Sequence, residues 1–407
     1  MNIAGQVAAK LKSLDVVFVL LLGVVGTFGV GKVNAPLILM LFAAQLVIVV
    51  KNKKANFKTD TYFWILICLF SLNVLGLLYT DNIPRGFDMM GRQISFLLFP
   101  VFYSLYRVKN INLLFKVFCS GIFLLILLFE IDALYRFFYK SDTFPLSLDL
   151  FLSYRYTGAE LTKLIDIHNA YFGMFILVSN VFILDYLRKV ASTRIFALLF
   201  LVICLQSLFL LQMVAKTAII LNTILVLGSL IYILVKQGRI RLLLFTGVLI
   251  ALITIFSFSY LKLPLERITE RFEELNQGQD TNRETRVKLW SAALPIIKNN
   301  PIIGVGTGDV EDQLHLAYLE NNVVSKSNVH NQYLDYLMRY GTFGLLLFLT
   351  ALGYALFHAI RTGNYIYFCF TLVIAGCCFT ENIFSRQWGI TFYACFNYLL
   401  YLNAKKE

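Results

Sequence analysis

Charge is what this sequence has least of. Only 15% of its 407 residues are charged, 58% are hydrophobic, and the mean hydropathy is +0.72. Soluble domains carry nearer a quarter charged residues, so that class is excluded and the solvent is a bilayer. Proline is scarce at seven residues, and no Pro-rich linker, low-complexity tract or fixed-period repeat marks off a separate soluble domain. Seven cysteines (Cys68, Cys119, Cys204, Cys369, Cys377, Cys378 and Cys395) all lie in apolar runs, which leaves neither a disulfide framework nor a zinc-type spacing. Histidines number four, few enough to weigh singly.

What the chain has instead is long apolar runs. A bilayer needs about 17 to 25 mostly apolar residues per helix. Such runs fall at 14–31, 34–50, 61–79, 93–106, 112–138, 168–187, 194–213, 216–235, 240–261, 333–360, 364–382 and 388–403. The fold expected is all-α and polytopic, with about 12 transmembrane helices. Residues 1–261 hold nine spans, 262–332 form one large polar loop with short helices, and 333–407 hold the last three. The first run, from Val16 to Val30, follows Lys10 and Lys12 but lacks a small-residue cleavage pattern, and is read as a retained span.

A net charge of +12 on a soluble surface would suggest nucleic acid, but its distribution points to a membrane side and away from that partner. With the N-terminus cytoplasmic, the inner segments hold 17 basic residues against four acids, and the outer ones 18 against 20. The positive excess then faces one side, as the positive-inside rule requires. Both termini are expected in the cytoplasm, and the polar stretches 139–166 and 262–332 outside.

In the large loop, Leu265, Ile268, Phe272 and Leu275 recur at helical steps among charges, an amphipathic pattern. A second helix places Val287, Trp290, Leu294 and Ile297 on one face and stops at Asn299-Asn300-Pro301. Gly304, Gly306 and Gly308 follow. They suit either a tight turn or an anion-binding nest, and no strand precedes them as in a dinucleotide fingerprint. Ser327 or Asn328 is the expected N-cap of the next span, which puts His330 in its first turn near the outer surface.

The run Arg286-Val-Lys-Leu-Trp290, then Asn300-Pro301 with Gly304-Val-Gly306, then His330-Asn331-Gln-Tyr333-Leu334 ending in Gly341-Thr-Phe-Gly344-Leu345, resembles a known family. It is similar to the O-antigen ligase and polymerase-like membrane proteins of bacterial surface polysaccharide assembly, over about 60 residues. The resemblance implies a GT-C-like glycosyltransferase in the bacterial inner membrane, active on the periplasmic face without metal or other cofactor. Its donor would be an undecaprenyl-diphosphate-linked glycan and its acceptor lipid A-core or another glycan. His330 matches the family's essential histidine and Arg286 its loop arginine. A second family arginine follows a serine after a tight outer turn; here that place reads Ala215-Lys216-Thr217, which keeps the charge and loses the bidentate fork. The segment Asp166-Ile-His168-Asn169-Ala-Tyr171 looks like a histidine-containing segment of relatives.

Transfer from a lipid diphosphate needs cations for the departing phosphates and a base for the incoming hydroxyl. Arg286, Lys216, Arg92 and Arg386 are the outer-face cations for the first task, and His330 is the base. His168, Asn331 and Tyr333 are candidate contacts to donor or acceptor. Each has a bland rival. His330 and His168 could be helix caps, Arg286 could pair with Glu284, and Lys216 could be an interfacial lysine. Glu130, Asp132 and Arg136 read as a structural lock. A ligase is preferred over a polymerase because one outer loop dominates. A flippase comes third, because the polar groups gather outside and not at the midplane.

The charge pattern makes a topological prediction. In a cysteine-free background, Gly278→Cys reacts with a membrane-impermeant maleimide added to intact spheroplasts, and Lys53→Cys reacts only after permeabilisation. The opposite labelling would invert the topology.

Overall fold

The computed structural model describes residues 22–23, 36, 38–43, 57–108, 110–140, 148–151, 153–236, 286–323, 325 and 328–404. The expected spans at 14–31, 34–50 and 240–261, the 265–275 helix, Glu284 and Ser327 lie wholly or largely outside these residues. All regular structure among the described residues is helical. It comprises α1 (Thr61–Leu77), α2 (Ile83–Gln93), α3 (Ser95–Leu105), α4 (Ile111–Tyr139), α5 (Asn169–Lys189), α6 (Thr193–Gln212), α7 (Lys216–Lys236), α8 (Arg286–Asn299), α9 (Val310–Glu320), α10 (Gln332–Arg361), α11 (Tyr365–Thr380) and α12 (Gln387–Ala404). Short turns at Leu148–Phe151, Tyr154–Tyr156, Gly158–Ile165 and Ile383–Ser385 complete them.

Helices α4, α5, α6, α7 and α10 are long and apolar enough to cross a membrane, and α1 and α11 are shorter apolar helices. Apolar periodicity located these ends within a few residues. At 93–106 the helix is the 11-residue α3 with Pro100 inside it, shorter than the apolar helices that could cross a membrane. The segment before it, expected as a connection, is α2, started by Pro84 and by the Asn82 side chain accepting from the Arg85 N–H at 3.2 Å. A further helix, α9, occupies part of the loop where none is expected. The face assigned to α8 is also corrected: Leu289, Ala292, Ala293 and Ile296 are buried, whereas Val287 and Leu294 are exposed.

Two compact units result, one of residues up to 122 and from 286 onward, the other of residues 123–285. In the second unit α5 is buried almost all round. It is joined to its neighbours by polar side chains: Asn180 donates to Asn222 (2.8 Å), Asn222 to Ser207 (2.8 Å) and Gln206 to Ser179 (3.2 Å). In a bilayer such interhelical hydrogen bonds hold apolar helices that have no hydrophobic drive to associate. The Arg136 guanidinium pairs with Asp132 (2.8 Å) and donates to the carbonyls of Arg155 and Glu160, the lock foreseen for Asp132 and Arg136.

The first unit is organised around a break in α10. Gly341 has φ 64 and ψ −162, which no helix contains. The loop between α8 and α9 fills the gap. Val305 and Gly306 donate to the carbonyls of Met338 and Arg339 (2.9 and 3.0 Å), and Thr342 and Phe343 donate to those of Pro301 and Ile302 (2.8 and 3.3 Å). Loop backbone thus satisfies, on both sides of the break, groups that a continuous helix would have paired. A side chain at Gly341 would run into the Ile302 backbone, and one at Gly304 into that of Met338 and Arg339. Thr307 and Gly308 spend their N–H groups on the Gly76 carbonyl (3.3 Å) and Thr80 Oγ1 (2.9 Å). Four successive loop amides are therefore committed within the protein, which favours the turn over the anion nest.

Arg339 and Asp335, each 3% exposed, pair at 3.0 Å beneath this loop, and Arg339 also donates to the Thr307 carbonyl. Around them Tyr340 donates to Asn73 (2.7 Å), Asn73 to Gln93 (2.9 Å) and Gln93 to the Phe384 carbonyl (3.2 Å), while the Phe384 N–H donates to Gln332 (2.6 Å). Removing one partner of such a pair strands a charge, while removing both does not. Arg339→Met should therefore cost about 3–5 kcal/mol of stability. Arg339→Met/Asp335→Leu should recover most of it, as read from thermal unfolding in detergent. Equal losses in single and double variants would show that the pair does not hold the break.

Candidate functional site

The loop enters α10 through Asn328-Val329-His330-Asn331. Asn331 is the N-cap, with an extended backbone and a side-chain oxygen that accepts from the Tyr333 and Leu334 N–H groups (3.0 and 3.1 Å). The cap expected at Ser327 or Asn328 is thereby corrected: His330 stands just before the helix, not in its first turn. Asn328 closes a local side-chain turn, its Oδ1 accepting from the His330 N–H at 3.0 Å. His330 is left-handed, with φ 48, a conformation that costs a non-glycine residue about 1–2 kcal/mol. Two flanking bonds hold it there. The Asn331 N–H donates to Asn382 Oδ1 (2.6 Å), and the Trp290 indole N–H to the Val329 carbonyl (2.8 Å). Backbone strain of this kind gathers at functional positions.

The imidazole meets a carboxylate absent from the sequence candidates. Both oxygens of Glu381, the C-cap of α11, lie 3.1–3.2 Å from His330 Nδ1. Glu381 Oε1 also accepts from the Asn382 N–H at 3.1 Å. The Glu381 side chain is 7% exposed and the His330 ring 28%, so a buried anchor carries an accessible ring. A carboxylate on Nδ1 fixes the tautomer with hydrogen on that nitrogen, leaving Nε2 as the acceptor of the neutral ring. The available signal was a carboxylate flush with the end of an apolar span, a position polar groups occupy at a cost.

The turn from Glu381 to Arg386 carries Arg386 and receives Arg92. Arg92 donates to the Ser385 carbonyl (3.2 Å) and pairs with Asp88 (2.5 Å), and Arg386 next along is exposed. Arg286 is exposed at the start of α8, one turn before Trp290. Asn331 is buried in its capping role, and the Tyr333 hydroxyl donates to the Ala375 carbonyl (2.9 Å), tying α10 to α11.

In the second unit, Lys216 is exposed as the first residue of α7. It follows a tight turn in which Val214 has φ 51, a strained conformation for a β-branched residue. His168 is the N-cap of α5, its Nδ1 accepting from the Ala170 N–H at 3.3 Å.

The left-handed backbone makes a prediction independent of activity. Because glycine alone adopts φ near +50° without penalty, His330→Gly should be more stable than His330→Ala by about 1 kcal/mol. Thermal unfolding of the two purified variants measures this; equal melting would mean that residue 330 relaxes.

No curated protein matches the chain. Residues 201–349 match the family model described as O-antigen ligase. The matched stretch takes in Lys216, Arg286, the loop that fills the break and His330, and stops short of Glu381 and Arg386. Over this stretch, a little over a third of the chain, the protein is similar to the O-antigen ligase family.

Proposed function

We propose that the protein is a glycosyltransferase of the O-antigen ligase type. It moves a glycan from undecaprenyl diphosphate to a hydroxyl of an acceptor such as lipid A-core, on the periplasmic face of the bacterial inner membrane. In this reading the chain spans the membrane about 12 times in a GT-C-like arrangement, with both termini cytoplasmic. The observation that carries the proposal is the His330–Glu381 pair, its histidine inside the matched stretch, with Nδ1 committed to a carboxylate and Nε2 left as the ring's acceptor.

The acceptor oxygen attacks the anomeric carbon as its proton passes to His330 Nε2. The bond from that carbon to the diphosphate oxygen breaks, and the electron pair leaves with the lipid diphosphate. Cations of the same unit as His330 stabilise this departing charge: Arg286, Arg92 and Arg386. In-line displacement on an α-linked donor yields an inverted product. Glu381 orients the imidazole, and Asn331 and Tyr333 position its helix. A polymerase would use the same donor and chemistry with a second lipid-linked glycan as acceptor.

Proteoliposomes with purified lipid-linked glycan and two rival acceptors, lipid A-core and a second lipid-linked glycan, test the assignment. Lipid A-core should gain mass with the opposite anomeric configuration; growth of the lipid-linked glycan instead would assign a polymerase. His330→Ala should lower the transfer rate about 10²–10⁴-fold. Undiminished transfer by that variant, or lipid translocation with no transfer at all, would sink the proposal.

A further inference from the structure

Trp290 and Phe379 are both aromatic, and both adjoin the histidine. The Trp290 N–H is committed to the carbonyl of Val329, the residue before His330, and Phe379 lies two residues before Glu381. The two rings meet edge to face, with centroids 5.9 Å apart and planes at 76°. They differ in accessibility: Trp290 packs partly buried against the α8–α9 core, whereas Phe379 is 56% exposed. Bulky side chains exposed to lipid are common in this chain, as at Leu346, Phe357 and Ile360 on α10, and those need no special account. Phe379 stands apart because Trp290, itself held by a hydrogen bond, meets its ring beside a histidine–carboxylate pair.

We propose that Trp290 and Phe379 form one wall of a subsite that stacks a pyranose ring of the acceptor glycan beside His330, a reading that rests on glycan transfer at that site. An aromatic face covers the C–H face of a sugar, while the hydroxyls at the ring's rim need polar groups around it. This wall has both: Arg286 lies one turn from Trp290 on the same side of α8, and His330 and Glu381 lie at its edge. An acyl or isoprenoid chain would be matched by aliphatic walls and would leave those polar groups unused. Both acceptors considered for the enzyme present sugars, so the subsite serves either.

Two measurements test this. In the transfer assay, Phe379→Leu should raise the acceptor KM about five-fold, the scale of one aromatic contact. The donor KM and kcat should hold, and Phe379→Tyr should restore the wild-type value. An unchanged acceptor KM, or a shift confined to the donor, overturns the subsite while leaving the transferase reading intact. The second measurement needs no turnover. In a Trp64→Phe/Trp388→Phe background in nanodiscs, Trp290 fluorescence is titrated with maltotriose and, separately, with geranyl phosphate. Quenching by the trisaccharide that weakens in Phe379→Leu supports the subsite even if no transfer is found. A response to geranyl phosphate alone assigns the wall to a lipid chain and overturns it.

Discussion

The first unit depends on the insertion of backbone 301–306 into the break of α10. Away from water, the carbonyls of Met338 and Arg339 and the amides of Thr342 and Phe343 would be costly if left unpaired. The loop supplies a partner to each. It can approach only because residues 304, 306 and 341 are glycines with positive φ. Arg339 adds a charge-assisted bond to the Thr307 carbonyl and is itself neutralised by Asp335 one turn earlier. Such a buried pair is weak evidence for stability but strong evidence for register, since Arg339 finds its full set of partners in this one alignment of loop and helix.

Register is what the site requires. The segment of α10 before the break carries Asn331 and His330 at its start, so fastening its far end to the loop fixes where the histidine stands. The turn after α11 fastens the near end, through Asn382 on Asn331, Phe384 on Gln332 and Glu381 on His330. That same turn receives Gln93 and Arg92 from α2. His330 and Arg92, distant in sequence, are thus brought by hydrogen bonds to the one six-residue turn that itself carries Glu381 and Arg386. A left-handed His330 is affordable in this setting because both flanking residues are pinned.

The second unit solves the membrane problem differently. Its helices carry neutral amides and hydroxyls that bond to one another across their buried faces, Asn180, Gln206, Asn222, Ser179 and Ser207. Charge appears at the helix ends, as in the Asp132–Arg136 pair and the exposed Lys216. Neutral polar groups join helices at a smaller desolvation cost than charges do, which suits them to the buried faces and charge to the helix ends.

Hydropathy alone determined that the chain is a helical membrane protein and placed most described helix ends within a few residues, because a bilayer imposes one length and one polarity on every span. His330, Arg286 and the glycine loop were legible because their residue types stand out in a short polar segment. Tertiary structure decided the rest. The cap moved to Asn331 because Asn382, 51 positions away, takes its N–H. Glu381 went unnoticed because a lone carboxylate at a span end has no local signature until a histidine meets it. α10 reads as one continuous apolar run, and its break exists only where a distant loop satisfies the backbone that the break exposes. Sequence periodicity reports which solvent a residue faces; partners across the fold report which bonds it makes, and the candidate chemistry here lies in those bonds.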